Sequence, residues 1–493
     1  MTKLSKSEES LANKVAKGGF WIFALRAGER SLGLIRIIIV ARLLSPNDFG
    51  LLGIALLTIS ILEAFSDTGF QAALVQRNEK IASYLDTAWT ISVIRGSILF
   101  VTIFLLAPYV GYFFDRPDAS FIIKVMGVTI LLRSFSNIGI VYFQKELQFN
   151  KLFIYKLSYN LVEFIVTVLA AFILKNVWAL VLGSLAGGVG GLFASYLFHS
   201  YRPRFDLNFE KAKKLFGFGK WMFGSSILVF LITQGDDVFV GKVLGLTMLG
   251  LYQMAYRISN IPTTEISRLI HQLAFPAYSK MQDNLPRLRE AYLEVLQITT
   301  FLCFPLAGLI FITAPDLTQI LLGEKWMPMV PAMQVLSLWG LVRAIGVTSV
   351  SVIYAVGMPK LITKYQLYQL SLIIILIYPL TMGLGIVGTS LAILIASIVP
   401  NYFAAYSAAI KTIKCNKNNI LKILCFPLLS SMTAMASVYF LHAYWFIPDS
   451  LLLLLIVSIV LYCFTYFLAA CFCDRFTTYK IKPLIKHFVN SLT

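Results

Sequence analysis

The feature that most constrains this chain is a series of long apolar runs. A helix needs roughly 20 mostly apolar residues to cross the hydrocarbon core of a bilayer. Fourteen runs of this kind lie near 18–42, 49–70, 86–110, 120–143, 152–174, 177–199, 221–241, 249–273, 290–314, 328–355, 365–384, 386–410, 420–444 and 449–473. They predict helices, because every backbone amide within lipid must be hydrogen-bonded inside its own segment.

The composition excludes a soluble protein. Hydrophobic residues make up 58% of the 493 residues and charged residues only 13%, whereas soluble domains have about 45–50% apolar and about 25% charged residues. We therefore predict an all-α polytopic membrane protein with about 14 transmembrane helices.

The net charge of +18 reports membrane topology. If the N-terminus is cytoplasmic, Lys and Arg concentrate on the cytoplasmic side. Only five of the 42 lie on the opposite side: Arg42, Arg116, Lys175, Lys242 and Lys325. This positive-inside bias predicts that both termini are cytoplasmic. It also argues against binding to nucleic acid, which would need a basic soluble domain.

The chain contains an internal repeat. An offset of 200 residues aligns identical residues of the first and second runs with those of the seventh and eighth. An offset of 210 aligns the fourth run with the tenth. The pairs include Gly19 and Gly219, Trp21 and Trp221, Gly50 and Gly250, Ala55 and Ala255, and Arg133 and Arg343. Because six runs separate the matched positions, the halves share one orientation and form two parallel six-helix repeats.

The repeat predicts the domain organisation. It consists of an N-lobe (1–200), a cytoplasmic basic linker (201–220), a C-lobe (221–410), an appended pair of two extra C-terminal helices (411–473) and a cytoplasmic tail (474–493). We interpret the appended pair as lipid-facing, either as a groove for an acyl chain or as scaffold only.

The first run carries four charges on one side of its helix. At 100° per residue, Arg26, Glu29, Arg30 and Arg36 share a sector of about 120°. An Arg at the centre of a membrane helix costs about 2.5–3.5 kcal/mol, so these side chains must line a polar cavity or pair with other charges. Two interpretations stay open at this stage, structural ion pairing and anion binding.

Further charges lie in other runs. Arg133 and Arg343 are repeat-matched, and the acidic candidates are Glu63, Asp67, Asp236 and Asp237. Each of these carboxylates, and Glu29 with them, has two equally consistent interpretations. It either binds a proton or sodium ion, or acts as a gate, or it is the ion-pair partner of an arginine. The excess of arginine favours an anionic cargo such as a phosphate or diphosphate, because the guanidinium grips phosphate oxygens bidentately.

The sequence favours transport over catalysis. The four histidines are scattered, and no metal or disulfide role is expected for the six cysteines. There is no nucleotide-binding P-loop motif and no external loop long enough for a catalytic domain, which argues against a glycosyltransferase or polymerase. We therefore expect no enzyme activity and no cofactor, with transport driven by an ion, potential or substrate gradient.

Several stretches resemble one transporter family. "ARLLSPNDFGLLGIALLTISILEAFSDTGFQAALVQRNE" (41–79), "FQKELQFNKL" (143–152), "DDVFVGKVLGLTMLGLYQMAYRISNIP" (236–262), "FPAYSKMQDNLPRLREAY" (275–292) and "LLGEKWMPMVPAMQVL" (321–336) resemble Wzx-type polysaccharide flippases. These belong to the multidrug/oligosaccharidyl-lipid/polysaccharide (MOP) exporter superfamily. The similarity is greatest to the subgroup of the colanic-acid exporter and the teichuronic-acid translocators, and it covers about residues 1–400.

The resemblance implies a fold of two lobes around a central cavity. It further implies that the chain flips an undecaprenyl-pyrophosphate-linked oligosaccharide repeat unit, as in lipopolysaccharide or exopolysaccharide biosynthesis, across a bacterial inner membrane. Cavity arginines would bind the pyrophosphate, and by position these are Arg26, Arg30, Arg36, Arg133 and Arg343. A polysaccharide polymerase and glycosyltransferases of the same pathway are candidate partners. The alternative is an ion-coupled multidrug or small-metabolite antiporter of the same fold.

Overall fold

The computed structural model describes residues 2–66, 82–208, 227–444 and 450–476. These residues form helices and no strands. The helices are α1 (Thr2–Leu43), α2 (Pro46–Ser66), α3 (Ala82–Phe113), α4 (Pro117–Ser134), α5 (Val141–Lys145), α6 (Phe149–Leu174), α7 (Trp178–Phe198), α8 (227–243), α9 (Leu246–Met281), α10 (Leu285–Leu321), α11 (Val330–Ala355), α12 (Pro359–Ala405), α13 (Lys417–Tyr444) and α14 (Leu451–Phe476). The 3-10 turns Ile138–Ile140 and Glu324–Met329 precede α5 and α11, and the π-helix Tyr406–Thr412 follows α12.

The helical membrane fold predicted from hydropathy is confirmed. In the described part of the chain, nine helices are long and apolar enough to cross a bilayer, or up to ten if a bent pair counts as one span. The more polar helices α1 and α9 fall outside that set, although they contain the predicted runs 18–42 and 249–273.

The fourth predicted run, 120–143, is not one continuous helix. It is broken into α4 and the short segment Ile138–Lys145, which is bent by 65° from α4. The Asn137 side chain accepts a hydrogen bond from the Gly139 amide at 2.9 Å and donates to the Tyr201 carbonyl at 2.6 Å. The backbone amide of Asn137 donates to the Ser195 hydroxyl at 2.8 Å. These contacts satisfy the backbone and side-chain groups at the break, which hydropathy cannot reveal.

The helix α12 is a hairpin of two spans. A straight helix of its 47 residues would measure about 70 Å, more than twice the hydrocarbon thickness. The chain reverses at Gly385, whose φ of 58° and ψ of −139° suit glycine. Across the reversal the Thr381 and Thr389 hydroxyls are 2.8 Å apart. The predicted division between 365–384 and 386–410 is confirmed.

The described residues form two compact units, which we describe separately. The first unit comprises 1–230 and 237–250, and the second comprises 231–236 and 251–493. In the first, Val40 of α1 and Leu44, just after α1, pack against Ala171 of α6 and Ala179 of α7. In the second, a core cluster joins α9, α10, α11, α12 and α13. The lobe and linker boundaries predicted from the repeat stay a prediction.

The appended helices α13 and α14 are anchored on α10 by polar contacts. The Ser431 and Tyr462 hydroxyls are 2.6 Å apart, and a Cβ at Gly308 would lie 2.4 Å from each. The Tyr466 hydroxyl donates to the Phe301 carbonyl at 2.9 Å. Other faces of the pair expose large apolar side chains such as Phe464. These contacts support a scaffold role on one side of the pair and leave the predicted lipid-facing surface on the other.

Candidate substrate-binding site

Charged residues link α1 and α6 within the first unit. The Lys156 ammonium lies 3.6 Å from Glu29 Oε1, and Asn160 Nδ2 donates to the same oxygen at 3.5 Å. One heptad further along both helices, Arg36 forms an ion pair with Glu163. Because the contacting residues advance together along both chains, α1 and α6 run parallel here. We call this line of contacts the α1–α6 seam.

The seam divides the four charges of the first predicted span. Glu29 and Arg36 lie 20° apart around the helix at 100° per residue, and both face α6. Arg26 and Arg30 lie further around, and Arg30 is exposed. Of the two interpretations of these charges, the geometry favours structural pairing for Arg36. Anion binding stays a prediction, with Arg30 better placed for it than Arg36.

Packing explains why Glu163 can lie at this seam. A Cβ at Gly187 of α7 would lie 2.9 Å from the Glu163 Cβ, so only a glycine lets α7 approach that closely. The side chains of Arg36 and Glu163 are only 20% and 24% exposed. Each charge would be costly without its partner in such surroundings.

A second charged group joins α2, α3 and α4. Arg133 Nη1 lies 4.0 Å from Glu63 Oε1, and the Arg133 side chain is 73% exposed. Arg95 donates from Nη2 to the Ser66 hydroxyl at 2.8 Å and to the Glu63 carbonyl at 3.4 Å. Arg133 is thus held loosely and accessible, whereas Arg95 fixes the end of α2. Asp67, the remaining acidic candidate on this span, lies outside the described residues.

The two groups carry a surplus of positive charge among the described residues. They contain four cations and three carboxylates, namely Arg36, Arg95, Arg133 and Lys156 against Glu29, Glu63 and Glu163. Arg26 and Arg30 lie on α1 beside the seam. Lys156, Glu163 and Arg95 were not among the predicted site residues. In the sequence, each of these three residues is visible only as a charge within an apolar run. Such a charge does not reveal which residue it pairs with.

The candidates of the second unit are more enclosed. Asp236 is 3% exposed and accepts a hydrogen bond from the Tyr252 hydroxyl at 2.7 Å. The Arg343 guanidinium lies 4.6 Å from the centre of the Trp339 ring and donates to Thr264. Asp237 belongs to the first unit and is half-buried. Arg343 is therefore anchored, unlike its repeat counterpart Arg133, and Asp236 is engaged by a neighbouring hydroxyl.

A reciprocal contact in the first unit reflects the repeat. A Cβ at Gly50 would lie 1.9 Å from the Leu246 carbonyl oxygen, and a Cβ at Gly250 would lie 1.9 Å from the Pro46 carbonyl oxygen. The two contacts interchange under the offset of 200 residues that aligns Gly50 with Gly250. The starts of α2 and α9 are therefore related by a local two-fold arrangement, as expected for parallel repeats.

The described residues show no metal centre. Within the parts of the chain that the structure describes, no three His, Cys, Asp or Glu side chains are placed to hold a metal ion. The arrangement instead offers guanidinium and ammonium groups in membrane-spanning helices, which suits the reversible binding of an anion.

Known proteins resemble this chain in sequence and in fold. It is 27% identical to the lipopolysaccharide biosynthesis protein WzxC of Escherichia coli (strain K12), over 82% of each chain. It is 28% identical to the teichuronic acid biosynthesis protein TuaB of Bacillus subtilis (strain 168), over 62% of this chain and 65% of TuaB. The fold is similar to that of lipid II flippase MurJ in an inward closed conformation, with a TM-score of 0.74 and 15% identity over 93% of this chain and 98% of MurJ.

The predicted resemblance to Wzx-type proteins is confirmed by these relatives and by a family match. The family described as polysaccharide biosynthesis protein matches residues 39–331. These residues include α2 to α10, and thus the α6 side of the seam, the second charged group and the reciprocal glycine contact. Because the match covers more than half of the sequence, the chain belongs to the polysaccharide biosynthesis protein family.

Proposed function

We propose that this protein is a flippase for a polyprenyl-diphosphate-linked oligosaccharide, which it moves from the cytoplasmic to the outer leaflet by alternating access. The observation that carries the proposal is the positive surplus of the two charged groups in the first unit, together with the exposed side chains of Arg30 and Arg133. The polysaccharide biosynthesis relatives and the flippase fold support the same cargo class. The protein itself would carry out transport without catalysis.

Each charged group has a proposed role. Arg30 and Arg133 bind the diphosphate oxygens, because a guanidinium fork matches them in geometry and charge. The seam pair Arg36 and Glu163 holds α1 against α6. A carboxylate such as Glu63 then limits how tightly the anion is held, so that release remains possible.

The cellular setting follows from the same proposal. The protein would lie in the bacterial inner membrane with both termini in the cytoplasm, as the distribution of Lys and Arg predicts. A polysaccharide polymerase and the glycosyltransferases that build the repeat unit would act before and after it. The driving force would be an ion gradient, the membrane potential or removal of the cargo outside.

The proposal is tested by transport in cells that lack the gene and carry a variant. Arg30→Ala and Arg133→Ala should each reduce surface polysaccharide several-fold, because one diphosphate ligand is lost. Lipid-linked repeat units should accumulate on the cytoplasmic face. The measurement is the amount and leaflet of lipid-linked oligosaccharide, together with the amount of surface polymer.

The seam supplies the matched control. Arg36→Ala should reduce transport through lost stability, and the charge-swapped double variant Arg36→Glu/Glu163→Arg should recover both. No second-site swap should rescue Arg30→Ala. Normal transport in Arg30→Ala, Arg133→Ala and their double variant would contradict the assignment. Normal lipid-linked pools in cells without the gene, together with binding of cationic dyes, would favour the antiporter alternative.

A further inference from the structure

One region of the second unit contains lysine without any carboxylate. Residues 325–448 include no Asp or Glu, yet they include eight cations. Six of these are exposed lysines at the two ends of α12 and the start of α13, namely Lys360, Lys364, Lys411, Lys414, Lys417 and Lys422. We call these six residues the lysine patch. Positive charge that is not offset within its own segment attracts anions.

The hairpin of α12 gathers the lysine patch on one surface. The Tyr365 hydroxyl near the start of α12 lies 2.5 Å from the Ser407 hydroxyl in the π-helix after it. Lys364 adjoins Tyr365, and Lys411 lies one turn beyond Ser407. The patch therefore lies at a single end of the hairpin. The predicted topology puts that end at the cytoplasmic side of the membrane.

Two lysines of the patch share one aromatic ring. The ammonium groups of Lys411 and Lys417 each lie 5.8 Å from the centre of the Tyr406 ring. Tyr402, which is 64% exposed, stacks against Tyr406 with ring centres 6.5 Å apart. Tyrosine beside lysine is typical of the membrane–water boundary, where the ring reaches the apolar region and the ammonium reaches the headgroups.

The turn between Lys411 and Lys417 is held in place by the protein core. Ile413 and Cys415 are buried on either side of the exposed Lys414, whose φ is 53°. Arg289 of α10 donates from Nε to the Ile413 carbonyl at 2.9 Å, and the Cys415 amide donates to the Ala409 carbonyl at 2.7 Å. Because this turn is fixed before binding, little entropy is lost in bringing the helical segments of Lys411 and Lys417 together.

We propose that Lys411, Tyr406 and Lys417 bind the headgroup phosphate of an anionic phospholipid in the leaflet at this end of the protein. The positive-inside bias accounts for lysines on this side, but not for two ammonium groups over one ring from either side of a fixed turn. A phospholipid fits because its phosphate meets the ammonium groups while its chains lie along exposed apolar residues such as Phe403. This site shares no residue with the proposed cargo site, and lipid binding to it does not depend on transport.

The test is retention of phosphatidylglycerol by the purified full-length protein, measured by native mass spectrometry against phosphatidylcholine. The wild type should retain phosphatidylglycerol preferentially. The variant Lys411→Gln/Lys417→Gln should bind it about 30-fold more weakly, because each cation near an anionic surface contributes about 1 kcal/mol. Lys411→Arg/Lys417→Arg should keep the preference because its charge is unchanged.

A matched control removes two exposed cations from the loop end of the α9–α10 hairpin. Lys280→Gln/Arg287→Gln should leave retention unchanged, because both residues lie outside the predicted spans. Lys280 follows the span 249–273, and Arg287 precedes the span 290–314. Equal retention of the two lipids by the wild type would overturn the proposal. So would an equal loss in both glutamine variants. Displacement of phosphatidylglycerol by an equal concentration of inorganic phosphate would also overturn it, by showing a site for free phosphate.

Discussion

At the scale of single residues, the neighbours of an arginine decide what it can do. Arg36 and Arg30 lie on the same helix less than two turns apart, yet Arg36 is paired with Glu163 at the α1–α6 seam and Arg30 is exposed. A paired and largely enclosed guanidinium has little capacity left for a second anion. The guanidinium of Arg30 is the more accessible of the two to a ligand. This contrast is the reason for choosing Arg30 and Arg133 as cargo ligands.

A residue-scale prediction concerns His199, just beyond α7. Its Nδ1 accepts a hydrogen bond from the Tyr201 amide at 3.1 Å, its ring stacks on Tyr142, and burial lowers its pKa. The unfolded chain, with a His pKa of about 6.5, therefore takes up a proton more readily than the folded chain. The stabilising contribution is present above about pH 6.5 and is lost as the pH falls below it.

The measurement is the melting temperature of the purified protein between pH 7.5 and pH 5.5. The wild type should lose more thermal stability over this interval than His199→Gln, which cannot be protonated. An identical pH dependence in the two proteins would show that His199 does not contribute.

At the scale of helices, backbone breaks turn long apolar segments into separate spans. Asn137 supports the bend after α4 with side-chain hydrogen bonds, whereas Gly385 supports the reversal in α12 with its own conformation. The first device depends on partners distant in sequence, and the second depends on one residue. The hairpin at Gly385 also brings together the two ends of α12 that carry the lysine patch.

The element-scale prediction is that Gly385→Ala destabilises the α12 hairpin. The φ of 58° with ψ of −139° is nearly inaccessible to residues with a Cβ, so the variant should lose about 1–3 kcal/mol of folding stability. Gly383→Ala is the matched control, because a Cβ there meets nothing within 4 Å and its φ is not positive. Thermal unfolding of both variants in one detergent provides the comparison. Equal melting temperatures would show that the reversal tolerates a side chain.

At the scale of the whole molecule, the internal repeat has a physical counterpart at Gly50 and Gly250. Each glycine lies against a backbone carbonyl of the other repeat, so the contact has no flexible side chain that could move aside. Both glycines belong to the first compact unit. The contact lies at the start of α2 and α9, the ends predicted to face outward.

The whole-molecule prediction is that a side chain at either glycine forces α2 and α9 apart. Gly50→Ala and Gly250→Ala should each lower the melting temperature and reduce transport, because the added Cβ would lie 1.9 Å from a carbonyl oxygen. Gly33→Ala serves as control, since a Cβ there meets nothing within 4 Å. The readouts are surface polymer in complemented cells and thermal unfolding. Behaviour indistinguishable from that of Gly33→Ala would refute a role for close packing at this contact.

The sequence by itself determined the membrane-spanning fold, the approximate positions of its spans and the parallel repeat. These properties follow from local physics, since an apolar run of about 20 residues crosses a bilayer whatever its neighbours are. The sequence also located charges that lipid would not tolerate, including Arg26, Arg30 and Arg36. It could place them around a helix by angle, because helix geometry is fixed.

Only the tertiary structure decided which of these charges are partners. Glu163 and Lys156 are more than 120 residues away from Arg36 and Glu29, and the break at Asn137 is stabilised by Ser195 and Tyr201. The gathering of the lysine patch likewise needed the α12 hairpin. Interactions of this kind depend on which helices pack together and in what register. The hydropathy pattern is compatible with many such packings, so it does not select one of them.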